Sequence, residues 1–234
     1  MNLFDVLGIY CERSNGAFWG EPLNVLSSLA FFAVAWRLWL RQLPSEARRE
    51  ARRMAVMLGV LGTGSLLFHL TAQLWAHWFN MGCIVLFIGV FLQRYLSQVV
   101  RTHSGTLMLC VAGMLLVGET LRRIGGLGLN DSEFYLGPAI CLIFLARWAM
   151  RKSTASAPWM LAAAALFPVA LAVRSLDRGL CAVWPAGTHF CWHLLSAAVL
   201  YLSVRGLAAG CHERSGRYHG LLTSDTVMEQ DRRR

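Results

Sequence analysis

The sequence predicts an all-α, polytopic membrane protein with seven transmembrane helices, and three observations carry that expectation. Of its 234 residues, 56% are hydrophobic and only 15% charged, where an ordinary soluble domain carries about 25% charged residues. The mean hydropathy is +0.48. The apolar residues come in stretches long enough to cross the hydrocarbon core, which takes about 20 residues of helix. Basic residues gather in the short segments between those stretches.

Hydropathy places the crossings at 22–40, 54–75, 78–97, 105–121, 134–150, 157–174 and 187–206. Pro22 suits the first turn of the first helix, and Gly187 with Thr188 suits the start of the last. The stretch from Met54 to Gln93 holds no acid, lysine or arginine. It is too long for one crossing and just long enough for a tight hairpin, which the sequence puts near Trp75 to Trp78. Residues 1–234 read as one membrane domain: an outer segment 1–21, a bundle 22–206 and a cytoplasmic tail 207–234. The opening segment contains Asp5, Glu12 and Glu21 and lacks a basic start followed by an apolar core. It is therefore not expected to be a cleaved signal peptide.

Direction follows from the arginines. With seven crossings, 17 of the 22 Lys and Arg residues fall on one side, including those of the 37–53 stretch, Arg94, Arg101, Arg147, Arg151, Lys152, Arg205 and the tail. Arg13, Arg122, Arg123, Arg174 and Arg178 fall on the other. The positive-inside rule then puts the N-terminus outside and the C-terminus in the cytoplasm of an integral, multi-pass protein. An even number of crossings does not produce that alternation. The net charge of +9 is topology rather than a nucleic-acid surface, and PSEARREARR and the closing RRR also attract anionic lipid.

Three histidines stand inside the apolar spans. The second span runs outward with His69 late in it, and the seventh runs inward with His189 and His193 early in it, so all three reach similar depth in the outer half. Asn80, early in the third span, joins them. Residues four apart share a helix face, so two imidazoles from one helix and a third from another make a three-histidine metal site with an open fourth position. Neutral imidazoles in an apolar bundle suit Zn²⁺. One alternative has each histidine hydrogen-bonding a neighbouring helix without metal; another has two of them as axial haem ligands. Ser65, one turn before His69, either faces the site or belongs to the small-residue packing run Gly62, Thr63, Gly64, Ser65. Glu119 with Arg122 and Arg123, and Arg174 with Asp177, read as ion pairs at span ends, the alternative being that either acid lines the pocket. His77 and His103 fall at span ends, and His212 and His219 in the tail. Cys11 and Cys181 both lie in outer segments, either bridged, tying the N-terminal segment to the seventh helix, or as two free thiols. Cys83, Cys110, Cys141 and Cys191 read as small packed hydrophobes.

At this point the chain resembles the alkaline ceramidase family, within the seven-helix superfamily that includes adiponectin-receptor-like proteins. Tyr10-Cys11-Glu12-Arg13 followed by Phe18-Trp19-Gly20-Glu21-Pro22-Leu23-Asn24 looks like the family's opening signature. Ser65 to His69 looks like its S-x-x-x-H motif, and His189 to His193 like its closing H-x-x-x-H motif. The resemblance implies Zn²⁺ on His69, His189 and His193, with Ser65 beside the attacking water. It implies hydrolysis of a ceramide-like sphingolipid amide to a long-chain base and a fatty acid. It also implies a Ca²⁺ site with Glu12 and Glu21 among its ligands, and a Cys11–Cys181 disulfide. Two positions depart from the pattern. Asn80 stands where the family has the aspartate that handles the water; an amide orients a water but takes no proton, which removes a general-base contribution of about 10²–10⁴-fold. His77 is the nearest substitute in sequence. Gly8 and Ile9 stand where the family has an acid, which takes one oxygen donor from the calcium set. A catalytically impaired, receptor-like or lipid-binding relative is the competing expectation.

Overall fold

The computed structural model describes residues 2–102, 104–124 and 128–231, the side chains of 104 and 217–231 excepted. It is all-helical, with no β-strand among the described residues. Among the described residues seven α-helices follow in order: α1 Pro22–Leu40, α2 Ser45–Thr71, α3 Leu74–Tyr95, α4 Ser104–Ile124, α5 Leu136–Arg151, α6 Ala157–Leu180 and α7 His189–Asp231. Among the described residues, six helical segments are long and apolar enough to cross a membrane, the architecture of a polytopic membrane protein. α4 lies where the fourth crossing is expected and ends in Glu119 paired with Arg122 and Arg123 at 2.9 and 2.6 Å. His103 lies outside the described residues.

Helix ends differ from those read by hydropathy. α2 starts at Ser45 rather than 54, because the arginine-rich stretch is itself a good helix former laced with Glu–Arg pairs one turn apart. The buried Glu50 also takes both Arg94 nitrogens across from α3, at 2.8 and 2.6 Å. The α2–α3 reversal falls at Ala72–Gln73, not at Trp75–Trp78, which lie in the first turns of α3. Ala72 adopts a left-handed conformation (φ 49°), which costs a non-glycine residue about 1–2 kcal/mol. The N-terminal segment offsets that cost. Leu7 N–H donates to Ala72 O at 2.7 Å, Leu74 N–H to Asp5 O at 3.2 Å and Trp75 N–H to Leu3 O at 3.0 Å. Residues 3–7 therefore run along the turn and close that end of the bundle. α7 continues as helix to Asp231, through the stretch expected as a tail.

The core is built around α7, which packs against α6, α1 and α2. Two glycines of α2 let it approach both neighbours: a Cβ on Gly62 would lie 2.9 Å from the Phe32 ring of α1, and one on Gly64 3.1 Å from the Asn80 Cα of α3. This close approach brings the polar residues of three helices to one end.

Candidate metal centre

α2 carries Ser65 and His69 one turn apart, α7 carries His189 and His193 in its first two turns, and α3 carries Asn80. All three histidines are buried, 1–3% exposed. Their ligating nitrogens lie within 4.8 Å of one another, so the group could hold a metal ion. Ring centroids are 4.6 Å apart for His69–His193, 4.7 Å for His189–His193 and 5.2 Å for His69–His189.

The surrounding hydrogen bonds decide how the imidazoles face. His69 Nδ1 lies 2.5 Å from Glu21 Oε2, an ionised oxygen that only accepts, so Nδ1 carries the proton and Nε2 is the nitrogen that a neutral imidazole would offer to a metal. His193 Nδ1 lies 2.8 Å from Ser27 Oγ. That hydroxyl donates to Asn24 O at 3.1 Å, so it accepts from His193, and Nε2 is again free. Such outer partners fix ligand orientation in metal sites. His189 lies under the Tyr10 ring, stacked at 3.6 Å and 18°, and its Nδ1 is buried with no hydrogen-bond partner. Three converging imidazoles, two with free Nε2 atoms and one with an orphaned buried nitrogen, fit a metal ion bound through nitrogen. Ser65 Oγ meets Ser28 Oγ at 2.9 Å, and Ser28 donates to Asn24 O at 2.8 Å. Ser65 therefore donates to Ser28 and presents lone pairs elsewhere.

The two acids implied as calcium ligands are differently engaged. Glu21 is buried; its other oxygen takes Arg13 Nε at 2.6 Å, and Asn24 Nδ2 donates to Oε2 at 3.0 Å. Burial pushes its pKa up, but the hydrogen bonds and the charges around it hold the carboxyl below the usual range. Glu12 accepts the Leu23 and Asn24 N–H groups at 2.5 and 2.9 Å, capping α1 from outside the helix. Burial pushes the Glu12 carboxyl up despite those two N–H groups. Among the described residues neither acid belongs to a cluster of three ligating side chains.

Cys11 and Cys181 form a disulfide with Cα atoms 5.1 Å apart. Beside it, Asp177 is fully buried and does not pair with Arg174, contrary to expectation. Its oxygens accept Cys11 N–H at 3.0 Å, Thr188 N–H at 2.6 Å and His189 N–H at 2.9 Å. A carboxylate from α6 thus caps α7, where the helix dipole favours negative charge. Arg174 instead donates to Asn130 O at 2.9 Å and Ser132 Oγ at 2.6 Å and lies 5.0 Å over the Tyr135 ring.

The histidines open onto a cavity of about 1020 Å³ of atom-free space, part of it open to the surroundings. Ser65, Asn80 and Tyr10 line the histidine end; Leu142, Leu145, Val199, Leu200 and Ser203 line the far end. Asn80 Oδ1 is buried without a partner. Among the described residues no carboxylate lines the cavity, and His77 does not reach it; its ring packs against Phe68 and Trp78.

Sequence reading missed Ser27, Ser28, Arg13 and Asp177 as groups holding the site, and it missed the contact of Glu21 with His69. The visible signal was a pair of hydroxyls beside Asn24 in an apolar span, and an acid late in the sixth span. Compared with protein-family models, with curated proteins and with solved structures, the chain matches none.

Proposed function

We propose that the protein is a zinc-dependent membrane amidase of the alkaline ceramidase type, hydrolysing a ceramide-like lipid to a long-chain base and a fatty acid. The observation that carries this reading is a buried three-histidine group facing a long apolar cavity. In this reading α4 also crosses, which makes seven crossings, the N-terminus is outside and the histidine end lies in the outer half of the bilayer. The acyl chain enters sideways from the lipid.

Bound zinc would polarise the amide carbonyl and lower the pKa of the attacking water towards about 7. The chain's own groups do the rest. Glu21 and Ser27 hold two imidazoles with Nε2 forward, and Tyr10 covers the third. Ser65, its proton already directed to Ser28, accepts a hydrogen bond from the water and orients it. Asn80 Oδ1 accepts a second but takes no proton, so the proton that the water loses leaves to solvent at the open part of the cavity, and the departing amine takes one from there. Apolar walls line the rest of the space around the amide.

A second reading is favoured by Asn80 and by a cavity wall that holds no carboxylate among the described residues. In it the protein binds lipid and metal but turns over little. One experiment separates the two. Purified protein is analysed for zinc and assayed with a short-chain fluorescent ceramide, alongside His189→Ala and Asn80→Asp. We expect stoichiometric zinc and turnover in the wild type, both lost in His189→Ala. A zinc-free wild type defeats the metal assignment. No turnover in the wild type, with a gain of about 10²–10⁴-fold in Asn80→Asp, supports the impaired relative.

A further inference from the structure

Arg13 is 2% exposed at its side chain, beside a metal centre whose ligands are neutral imidazoles. Its Nε donates to Glu21 Oε1 at 2.6 Å. Nη1 donates to the carbonyl oxygens of Ala17 at 3.0 Å and Asn15 at 3.3 Å, and Nη2 to the carbonyl oxygen of His69 at 2.9 Å. A carboxylate and three backbone carbonyls, from the N-terminal segment and from α2, thus surround one positive charge. Gly20 makes room for it: a Cβ there would lie 2.8 Å from Nη1.

Carboxylate and carbonyl oxygens converging on one point are the donor set of a hard divalent cation, and calcium takes about 6–8 of them. Here the centre of that set is filled by a side chain. The planar guanidinium reaches all four oxygens through separate N–H groups, which an ammonium cannot match in direction. Glu12, the other acid implied as a calcium ligand, is spent on the start of α1. The residues present therefore do not fit a calcium ion at this point.

We infer that Arg13 is a built-in cation standing where a calcium ion would otherwise sit, so that this chain positions His69 without calcium. The role of His69 in this inference rests on the metal reading above. Arg13 is a positioning residue, acting on His69 by two routes. It fixes Glu21, whose Oε2 takes the Nδ1 proton, and it holds the His69 carbonyl at the end of α2. Removing it leaves a hole lined by the same four oxygens.

The test uses full-length protein in detergent, melted in EGTA, in CaCl₂ and in MgCl₂, with zinc affinity measured by chelator competition. The wild type is expected to melt at the same temperature in all three. Arg13→Ala is expected to melt lower in EGTA, to bind zinc about tenfold or more weakly, and to recover part of both in CaCl₂ but less in MgCl₂. Arg13→Lys keeps the charge without the fork; it is expected to fold and to lose zinc affinity while melting close to the wild type. A calcium-dependent rise in the wild type overturns the inference. So does an Arg13→Ala protein that melts like the wild type in EGTA or gains nothing from CaCl₂, or an Arg13→Lys protein with undiminished zinc affinity. Melting is read without turnover, so a wild type lacking zinc defeats the amidase reading and still leaves the calcium comparison to decide this one.

Discussion

At the scale of single residues, proton direction matters as much as distance. Two imidazoles are set as Nδ1–H tautomers by groups that can only accept, an ionised Glu21 and a Ser27 hydroxyl whose own proton goes to Asn24 O. Ser27→Ala removes one acceptor without touching a ligand. Zinc affinity is expected to fall about 10–100-fold, with melting of the metal-free protein nearly unchanged. Ser27→Thr, which keeps the hydroxyl, is expected to restore it. Chelator competition reads both, and equal affinity in Ser27→Ala and wild type shows that the hydroxyl does not orient His193. Of this arrangement, the histidines were legible in the sequence because imidazoles are rare in apolar spans. Their partners were not. Glu21 and His69 are 48 residues apart, and Ser27 and His193 are 166 apart; nothing local in either stretch names the other. The buried role of Arg13 was equally silent, since an arginine in an N-terminal segment normally meets water.

At the scale of elements, the start of α7 carries the site, and its geometry is imposed by α6 and the N-terminal segment. Gly187 has φ +64° and Thr188 spends its hydroxyl on Val173 O, so the helix lacks a cap of its own. Asp177 supplies one, and the Cys11–Cys181 bridge holds the same corner. Asp177→Asn keeps the shape but removes the charge, and the amide nitrogen cannot accept the third N–H. Because hydrogen bonds to charged groups contribute about 1.5–3 kcal/mol each, the loss is expected to reach at least that range. It should appear as a lower denaturation midpoint together with reduced zinc content, since His189 is the residue the cap holds. An Asp177→Asn protein of unchanged midpoint would show the carboxylate to be dispensable. Element positions were legible from hydropathy, whereas ends were not. Hydropathy does not register that SEARREARR is a helix former, and the Ala72–Gln73 reversal is set by pairing with residues 3–7, a contact without a turn signature such as glycine or proline.

At the scale of the molecule, alternating helix direction alone brings a late residue of α2 and early residues of α7 to one end, whichever side that end faces. That convergence is legible in the sequence. The cavity is not, because it depends on which side chains leave space between helices. His189 and Ser203 both line it and stand 14 residues apart on α7. At 1.5 Å per residue the space follows that helix for about 21 Å, and under the proposed function a long acyl chain would lie along α7 with its amide at the histidines. Its far end is lined largely by aliphatic side chains, among them the half-buried Leu200. Leu200→Trp fills that end while staying about 16 Å along the helix from His189. Zinc content is expected to be unchanged, turnover of a short-chain amide nearly unchanged, and turnover of a long-chain amide reduced at least tenfold. The ratio of the two substrates is the measurement, because a general loss of folding lowers both together. If Leu200→Trp slows both substrates equally, or neither, the chain does not lie along α7 and the cavity is not its binding site.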